Sequence, residues 1–577
     1  MTKKIVQRDS SGWENLPVSW LDSLRRILAA RGIKAEADLS YDLADLPKPD
    51  SMLGMGSAVQ LLVQALKEEW RIMIVADFDT DGATSCAVAI RGLQSMGAKH
   101  LDYIVPNRFV HGYGLTPELL AEIPETEQPD LLLTVDNGIA SNAGVEAAHK
   151  RGIKVLVTDH HLPGDELPKA EAIINPNQHG DKFPSKNMAG VGVCFYLLLG
   201  LRQQLRSQGW FETQQIEVPK LNSLLDLVAL GTVADVVPLD KLNRTLVNLG
   251  LARIRAGRAC AGINALIQVS GRDLRSLSAP DMGFSIAPRL NAAGRLEDMS
   301  MGIETLLTDD VKEAVDAANM LDDINKQRRE VEHDMQQQAL LMLDNMSFDE
   351  DNQPLGYCLY DSKWHQGVIG LLASRIKERR HRPVIAFAPG NQGEVKGSAR
   401  SIPGVHIRDV LALIANKMPA GRLTRFGGHA MAAGLTLAEE DLPLFEQHFL
   451  AVLEQIIEPA VLQQELVSDG ELNADEISLE LAQLLPTAAP WGQGFPEPNF
   501  HGIFTVVAVR TVGQQQDHLR LTVDSGKGEH VTAMAFSQQQ PDWLQQGEKV
   551  LLCYRLAVNE FRQQRSVQML VENILRI

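Results

Sequence analysis

Cysteine is scarce and scattered in this chain of 577 residues: Cys86, Cys194, Cys260, Cys358 and Cys553 show no CxxC spacing. That argues against a disulfide framework or a zinc cluster and fits a reducing compartment, so a cytoplasmic location is expected. Long apolar runs are missing too. The opening "MTKKIVQRDSSGW" has none, so no secretory signal is expected. The most apolar stretch, "LLDLVALGTVADVVPL", is interrupted by Asp226 and Asp235 and is too polar to span a bilayer. No membrane association is expected. Internal repeats and low-complexity segments are absent as well.

What remains is the composition of a soluble globular protein, 45% hydrophobic and 22% charged. Its length exceeds one ordinary core, so three or four domains are expected. A net charge of −18 taken alone speaks against a nucleic-acid partner. The distribution speaks otherwise. Between Lys363 and His429 there are twelve Lys/Arg against three Asp/Glu, a local +9 that leaves −27 on the rest. A basic block inside an acidic chain suits a polyanionic ligand, although a merely solvated surface would have the same composition.

Residues 71 to 161 alternate strand and helix signals. "RIMIVADFD", "LDYIVPNR", "DLLLTVDNG" and "IKVLVTDHH" read as strands. "GATSCAVAIRGLQSMG", "TPELLAEI" (Thr116 as cap, Pro117 first) and "SNAGVEAAHKRG" (capped by Ser141) read as helices. Continuous apolar strands separated by helices predict a parallel sheet covered on both faces. Residues 185 to 300 read as mostly helical, and Asp309 to about Met346 as one long charged helix joining two lobes. A second α/β pattern follows, with strands in "LGYCLY" and "PVIAFAP" and helices in "VIGLLASRIKER" and "VHIRDVLALIANK". After about residue 465, five short alternating strands predict a small barrel of OB type.

A parallel sheet of this kind binds ligands beyond the carboxyl ends of its strands. Each of three strands carries polar groups there: Asp77 and Asp79, then Asp136, then Asp159-His160-His161. Such closely set carboxylates repel, so a cation is expected among them. With Asp235 they form an oxygen-rich set with one imidazole, suited to Mg²⁺ or Mn²⁺, the His tilting it towards Mn²⁺. Several carboxylates at one point hold two ions ~3.5–4 Å apart, the geometry of phosphoester hydrolysis. Singly, each motif has a plainer reading. "DxDxD" occurs in turns and Ca²⁺ loops, "DNG" in turns, "DHH" in surface patches, and Asp235 could be a helix cap. At successive strand ends they are harder to dismiss.

"DFDTDG", "VDNG", "TDHH" and "GTVADVVPL", in this order, resemble the motifs of the DHH phosphoesterase family. "PRLNAAGRL", "WHQGVIGLLASRIKER", "KGSARSI", "RFGGHAMAAG" and "PWGQGFPEP" are similar to those of its bacterial single-stranded-DNA exonuclease branch, and the similarity runs from about residue 50 onward. The resemblance implies an N-terminal segment (1–50), a parallel-sheet DHH catalytic domain (51–308), a connecting helix (309–346), a smaller α/β DHHA1 domain (347–460) and an OB-fold-like barrel (465–577). It implies that Asp77, Asp79, Asp136, His160 and Asp235 ligate two divalent ions, with Asp136 bridging and His161 contacting the scissile phosphate or supporting the ligands. Arg289 and Arg295 would hold substrate phosphates. In the second lobe Arg375, Ser398, Arg400, Gly427, Gly428 and His429 would face the nucleotide, and the barrel would grip the incoming strand. Arg375 and Arg400 also read as ordinary surface charges, and "GGH" as a flexible turn.

The activity so implied is 5′→3′ hydrolysis of single-stranded DNA to 5′-mononucleotides in recombination and repair. Single-stranded-DNA-binding protein and a RecQ-type helicase are the implied partners. Two departures stand out: Val75, where many relatives place a His two residues before the first Asp, and Ala399 in "GSARS". Without an imidazole at 75, one ion is expected to bind weakly until DNA arrives. Two rivals remain, a DHH hydrolase of oligoribonucleotides or cyclic dinucleotides and a non-catalytic single-stranded-DNA-binding replication scaffold. The barrel counts against the first, and the retained Asp77, Asp79, Asp136 and His160 against the second.

Overall fold

The structure, a computed structural model, describes residues 3–345, 353–390, 393–419, 421–423, 425–513, 516–526, 528, 530–561 and 564–577. It divides into two compact units: residues 7–322 with 468–577, and residues 1–6 with 323–467. No helix among the described residues is long and apolar enough to cross a membrane.

In the first unit the apolar runs form β1 (Arg71–Ala76), β2 (His100–Ile104), β3 (Leu131–Val135) and β4 (Lys154–Thr158). A fifth strand, β5 (Ala172–Ile174), is too short to leave a periodic signal in the sequence. All pair in parallel in the order β2-β1-β3-β4-β5. Ile72, Ile74, Leu131, Leu133 and Leu156 face one core, while Met73, Val75, Leu132, Val155 and Val157 face another. Both faces are covered, so the strands lack polar alternation.

Two helices follow strand ends, α1 (Thr80–Ser95) after β1 and α2 (Asn142–Lys150) after β3. Thr116 caps Pro117–Ala121, its Oγ1 accepting from Leu119 N–H at 3.2 Å. Ser141 stands at the cap position of α2 but its side chain makes no cap hydrogen bond. Its ψ of 44° departs from the extended backbone that aims a capping oxygen at the first turn. Further along, α3 (Gly190–Ser207), α4 (Leu225–Ala234) and α5 (Ala287–Leu296) surround the strand ends.

The long helix α6 (Val311–Asn345) contains the boundary between the units, at Asp322/Asp323. The expected helix end at 346 and domain start at 347 lie outside the described residues. The second unit adds β6 (Tyr357–Tyr360), α7 (Ile369–Arg380), β7 (Val384–Pro389), β8 (Glu394–Arg400), α8 (Ile407–Lys417), β9 (Arg425–Gly428) and β10 (Ala432–Ala438). Its sheet runs β9-β10-β8-β7-β6, antiparallel except for β6 with β7.

The C-terminal strands β11 (Phe500–Val512), β12 (His518–Asp524), β13 (His530–Ala535), β14 (Lys549–Phe561) and β15 (Gln564–Arg576) close into a barrel. The order is β11-β12-β13-β15-β14, with β13 and β15 parallel. Leu519, Leu521, Leu552 and Tyr554 from the barrel belong to the same buried cluster as Leu225, Leu230 and Leu246 of the catalytic region. The barrel and the parallel sheet therefore make one folding unit.

Candidate metal centre

Sheet topology delivers the carboxylates. Asp77 follows β1, buried, with Oδ1 accepting from Phe78 N–H at 2.7 Å. Asp79 caps α1, its Oδ1 accepting from Gly82 N–H at 3.0 Å. Asp136 follows β3 with φ of 61°, a left-handed conformation that residues with a side chain adopt rarely and often at functional sites. Asp159, His160 and His161 follow β4, and Asp235 is the C-cap of α4.

These side chains meet. Ligand-type atoms of Asp77, Asp79 and Asp136 lie within 4.8 Å of one another, as do those of Asp81, His160 and Asp235, and of Asp136, His160 and His161. His160 Nε2 is 3.1 Å from Asp136 Oδ1, 3.4 Å from Asp235 Oδ2 and 4.0 Å from Asp81 Oδ2. All five residues expected as ligands thus converge, with Asp136 shared between two of the groups.

Electrostatics reflect the crowding. Burial, then the neighbouring carboxylates, raises Asp77, Asp136 and Asp235 well above the usual carboxylate range. Asp81, given no role from sequence, is pushed up to about 7 by burial and then by Asp79. It accepts from Gly190 N–H at 2.6 Å and Val191 N–H at 3.0 Å, at the positive end of α3. A Cβ at Gly190 would lie 2.5 Å from Asp136 Oδ1, so only glycine lets α3 begin beside that carboxylate.

A second layer holds the histidines. Asp159 accepts from His160 N–H at 2.7 Å, from His161 N–H at 3.1 Å and from Ile139 N–H at 2.9 Å, and its Oδ1 is 2.7 Å from His161 Nδ1. Burial would lower His161, but the Asp159 hydrogen bond and charge outweigh it and push it up to about 9. The Tyr113 hydroxyl lies 3.3 Å from His161 Nδ1 and donates to Asp136 O at 3.1 Å. Arg108 lies 4.1 Å over the Phe78 ring, and Asp77 and Asp79 act on its charge. α5 docks on α1 through Asn291 Oδ1, which accepts from both the N–H and the hydroxyl of Thr80 at 2.9 Å.

Other expected residues are placed differently. Arg289 is buried, donates to Ser285 O and pairs with Asp322 at 2.7 Å. A guanidinium so engaged anchors α5. Arg295, nearer the end of α5, is half-buried. In the second unit Arg375 is held by Glu332 of α6 at 3.0 Å and by Glu378 at 3.7 Å. Ser398, Arg400, Gly427 and Gly428 do gather. Gly427 pairs with Gly434 and Gly434 with Ser398, while Gly428 pairs with Ala433 and Arg400 with Ala432. His429 N–H donates to Ala432 O at 2.8 Å, and Arg400 Nη1 donates to Ser398 Oγ at 3.1 Å. They lie in neighbouring rows across three strands.

Family models for the DHH family N-terminal domain, the DHHA1 domain and the RecJ OB domain match residues 71–232, 352–458 and 468–573. The single-stranded-DNA-specific exonuclease RecJ of Escherichia coli (strain K12) is 49% identical over 573 residues, 99% of each chain. RecJ from Thermus thermophilus in complex with Mn²⁺ superposes with a TM-score of 0.80 at 29% identity, covering all of this chain and 79% of that one. Its complex with Mg²⁺ gives 0.75 at 27% identity, with coverage of 100% and 78%. The chain belongs to the RecJ family.

A divalent ion fits the donor set. Asp136 Oδ1 is buried and, among the described residues, accepts no hydrogen bond of good geometry, with His160 Nε2 3.1 Å away. Three carboxylates are raised by burial and then by mutual repulsion, which a cation would relieve. Sequence reasoning gave no role to Asp81, Arg108, Tyr113 and Asn291, and placed Asp159 at a strand end without a role of its own. Asp81 and Asp159 stand inside the quoted "DFDTDG" and "TDHH", where alternation with the expected ligands was the available signal.

Proposed function

We propose that this RecJ-family chain is a metal-dependent exonuclease that hydrolyses single-stranded DNA from the 5′ end to 5′-mononucleotides, in recombination and repair. The observation that carries the chemistry is the convergence of Asp77, Asp79, Asp136, His160 and Asp235 in overlapping groups linked through Asp136 and His160. These five would hold two Mn²⁺ or Mg²⁺ ions. Such a pair lowers the pKa of a water and offsets charge on the attacked phosphate.

The chain's own residues do the rest. Asp159 fixes the His161 ring, and their hydrogen bond and charge favour the protonated ring, which would donate to a phosphate oxygen. Arg108 adds a cation beside the carboxylates and can meet the phosphate that they would otherwise repel. In the second unit Ser398, Arg400, Gly427, Gly428 and His429 would bind the nucleotide, small residues letting it approach the backbone. The barrel would stack bases and track phosphates, as OB-folds do. Single-stranded-DNA-binding protein and a RecQ-type helicase are proposed partners, and the cytoplasm the proposed location.

One assay tests the reading. Single-stranded DNA, duplex DNA, RNA and dinucleotides, labelled at either end, are incubated with Mn²⁺ or Mg²⁺. Mononucleotides released first from the 5′ end of single-stranded DNA are expected. Preference for RNA or dinucleotides would favour the oligoribonuclease reading, and no product would favour a binding scaffold.

A further inference from the structure

The loop that carries Asp235 is shaped by a distant stretch of chain. Asp235 N–H donates to Gly231 O at 3.0 Å, closing α4. Val236 follows with φ of 60°, which β-branched residues resist. Its side chain is 63% exposed, so its own packing does not hold it there. The restraint comes three residues on. Leu239 is buried, and its N–H donates to Gln493 O at 2.7 Å.

Gln493 lies in the turn Trp491–Phe495, between the catalytic region and the barrel. Gly492 and Phe495 exchange backbone hydrogen bonds of 2.9 and 3.1 Å. The Trp491 and Phe495 rings stack at 5.4 Å, and Arg244 lies 4.5 Å over Phe495. The fit to the loop is close. A Cβ at Gly492 would stand 2.7 Å from Leu239 Cδ1, and one at Gly494, where φ is 71°, 3.3 Å from Pro238 Cβ.

We propose that this turn is a template setting the position of Asp235, which makes Gly492, Gln493 and Gly494 positioning residues for one ion of the pair. The inference rests on the metal role proposed for Asp235. Helix α4 fixes the loop on one side, strained Val236 cannot fix it alone, and the turn fixes the other side. Metal–ligand distances tolerate only about 0.2 Å, so a displacement of Leu239 carried back to Asp235 would be felt by the ion. The turn also gives the segment leading into the barrel a direct mechanical link to the metal site.

The test is calorimetric Mn²⁺ titration of the full-length protein without DNA, beside its metal-free melting temperature. Gly492→Ala is expected to weaken one Mn²⁺ about tenfold, the range for groups that support metal ligands, and to leave the other unchanged. Gly494→Ala should weaken the same ion. In the double variant Gly492→Ala/Leu239→Ala the clash is relieved, and most of the affinity should return. Asp235→Asn must weaken that ion too. If it did not, the metal role of Asp235 would fall. If Asp235→Asn weakened an ion while neither glycine variant did, the template alone would fall. Equal weakening of both ions, with a lowered melting temperature that the double variant fails to restore, would also overturn it and leave the turn a general packing element.

Discussion

The two sheets put their candidate sites in opposite materials. In the first unit the site gathers at the carboxyl ends of parallel strands and consists of side chains that repel one another. In the second it runs across three strands and consists largely of residues with small or no side chains: Gly427, Gly428, Gly434, Ser398 and Ala399. The first attracts cations because Arg108 and His161 offset only part of the burial and repulsion that raise its carboxylates. The second exposes backbone, with Arg400 lying beside it. One sheet is built to hold metal and the other to let a substrate come close, so damage to each should separate turnover from binding.

The largest effect should come from removing the element that joins neither sheet. Truncation near residue 465 suits a barrel that is an independent module, leaving short-oligonucleotide cleavage intact. The shared core argues otherwise, because Trp491, Phe495 and Phe500 are buried in the cluster that also contains Leu239 and Leu242. A chain ending at 465 is expected to aggregate or melt many degrees lower, with loss of cleavage on short and long substrates alike. A soluble truncated protein with full activity on short oligonucleotides would show the barrel to be separable.

Next is Asp136→Asn, which keeps the side chain's shape and, like Asp, tolerates φ of 61°. If Asp136 bridges the two ions, its loss should remove several kcal/mol of transition-state stabilisation, about a thousandfold in kcat. Binding of single-stranded DNA in EDTA should be unchanged. Burial and repulsion destabilise the ionised Asp136, so the metal-free melting temperature should rise. Retained cleavage would remove Asp136 from the metal site.

The first sheet was legible in the sequence because both its signals are strong there. Apolar runs mark four of its five strands, and three of those runs end in an acid or a histidine. The second sheet was half legible. β6 and β7 are apolar, but β8, β9 and β10 ("EVKGSAR", "RFGG", "AAGLTLA") are short or glycine-rich and carry no clear alternation. Arginines were the least legible. Arg289 and Arg375 stand in motifs that suggest phosphate contact, and the structure pairs them with Asp322 and Glu332. Both acids lie on α6, and sequence spacing carries no trace of such pairing.

Arg400→Ala should give a smaller, different loss. A charge-assisted contact to phosphate is worth about 1.5 kcal/mol, roughly tenfold in KM. kcat should hold. The salt dependence of binding should flatten by about 0.7 in its logarithmic slope, as expected for one single-strand phosphate contact. An unchanged slope would place Arg400 away from DNA.

The last effect concerns Val75, where the family resemblance leads to the expectation of a histidine. Val75 is fully buried in the cluster with Leu115, Leu132 and Val157. It is two residues before Asp77, on the same side of the chain by strand alternation. An imidazole there loses water and gains no partner until an ion arrives, so Val75→His should cost about 1–3 kcal/mol in the metal-free protein. If the ring reaches the ion, Mn²⁺ supplies that partner and returns part of the loss. The rise in melting temperature on adding Mn²⁺ should then be larger for Val75→His than for the unmodified chain, and less Mn²⁺ should be needed for half-maximal cleavage. DNA should matter less to that affinity, because the added ligand takes the place of a phosphate oxygen, and the coupling between metal and DNA is reciprocal. An equal or smaller rise would mean that the ring stays among the leucines, and that this face of β1 ends its part in the metal site at Asp77.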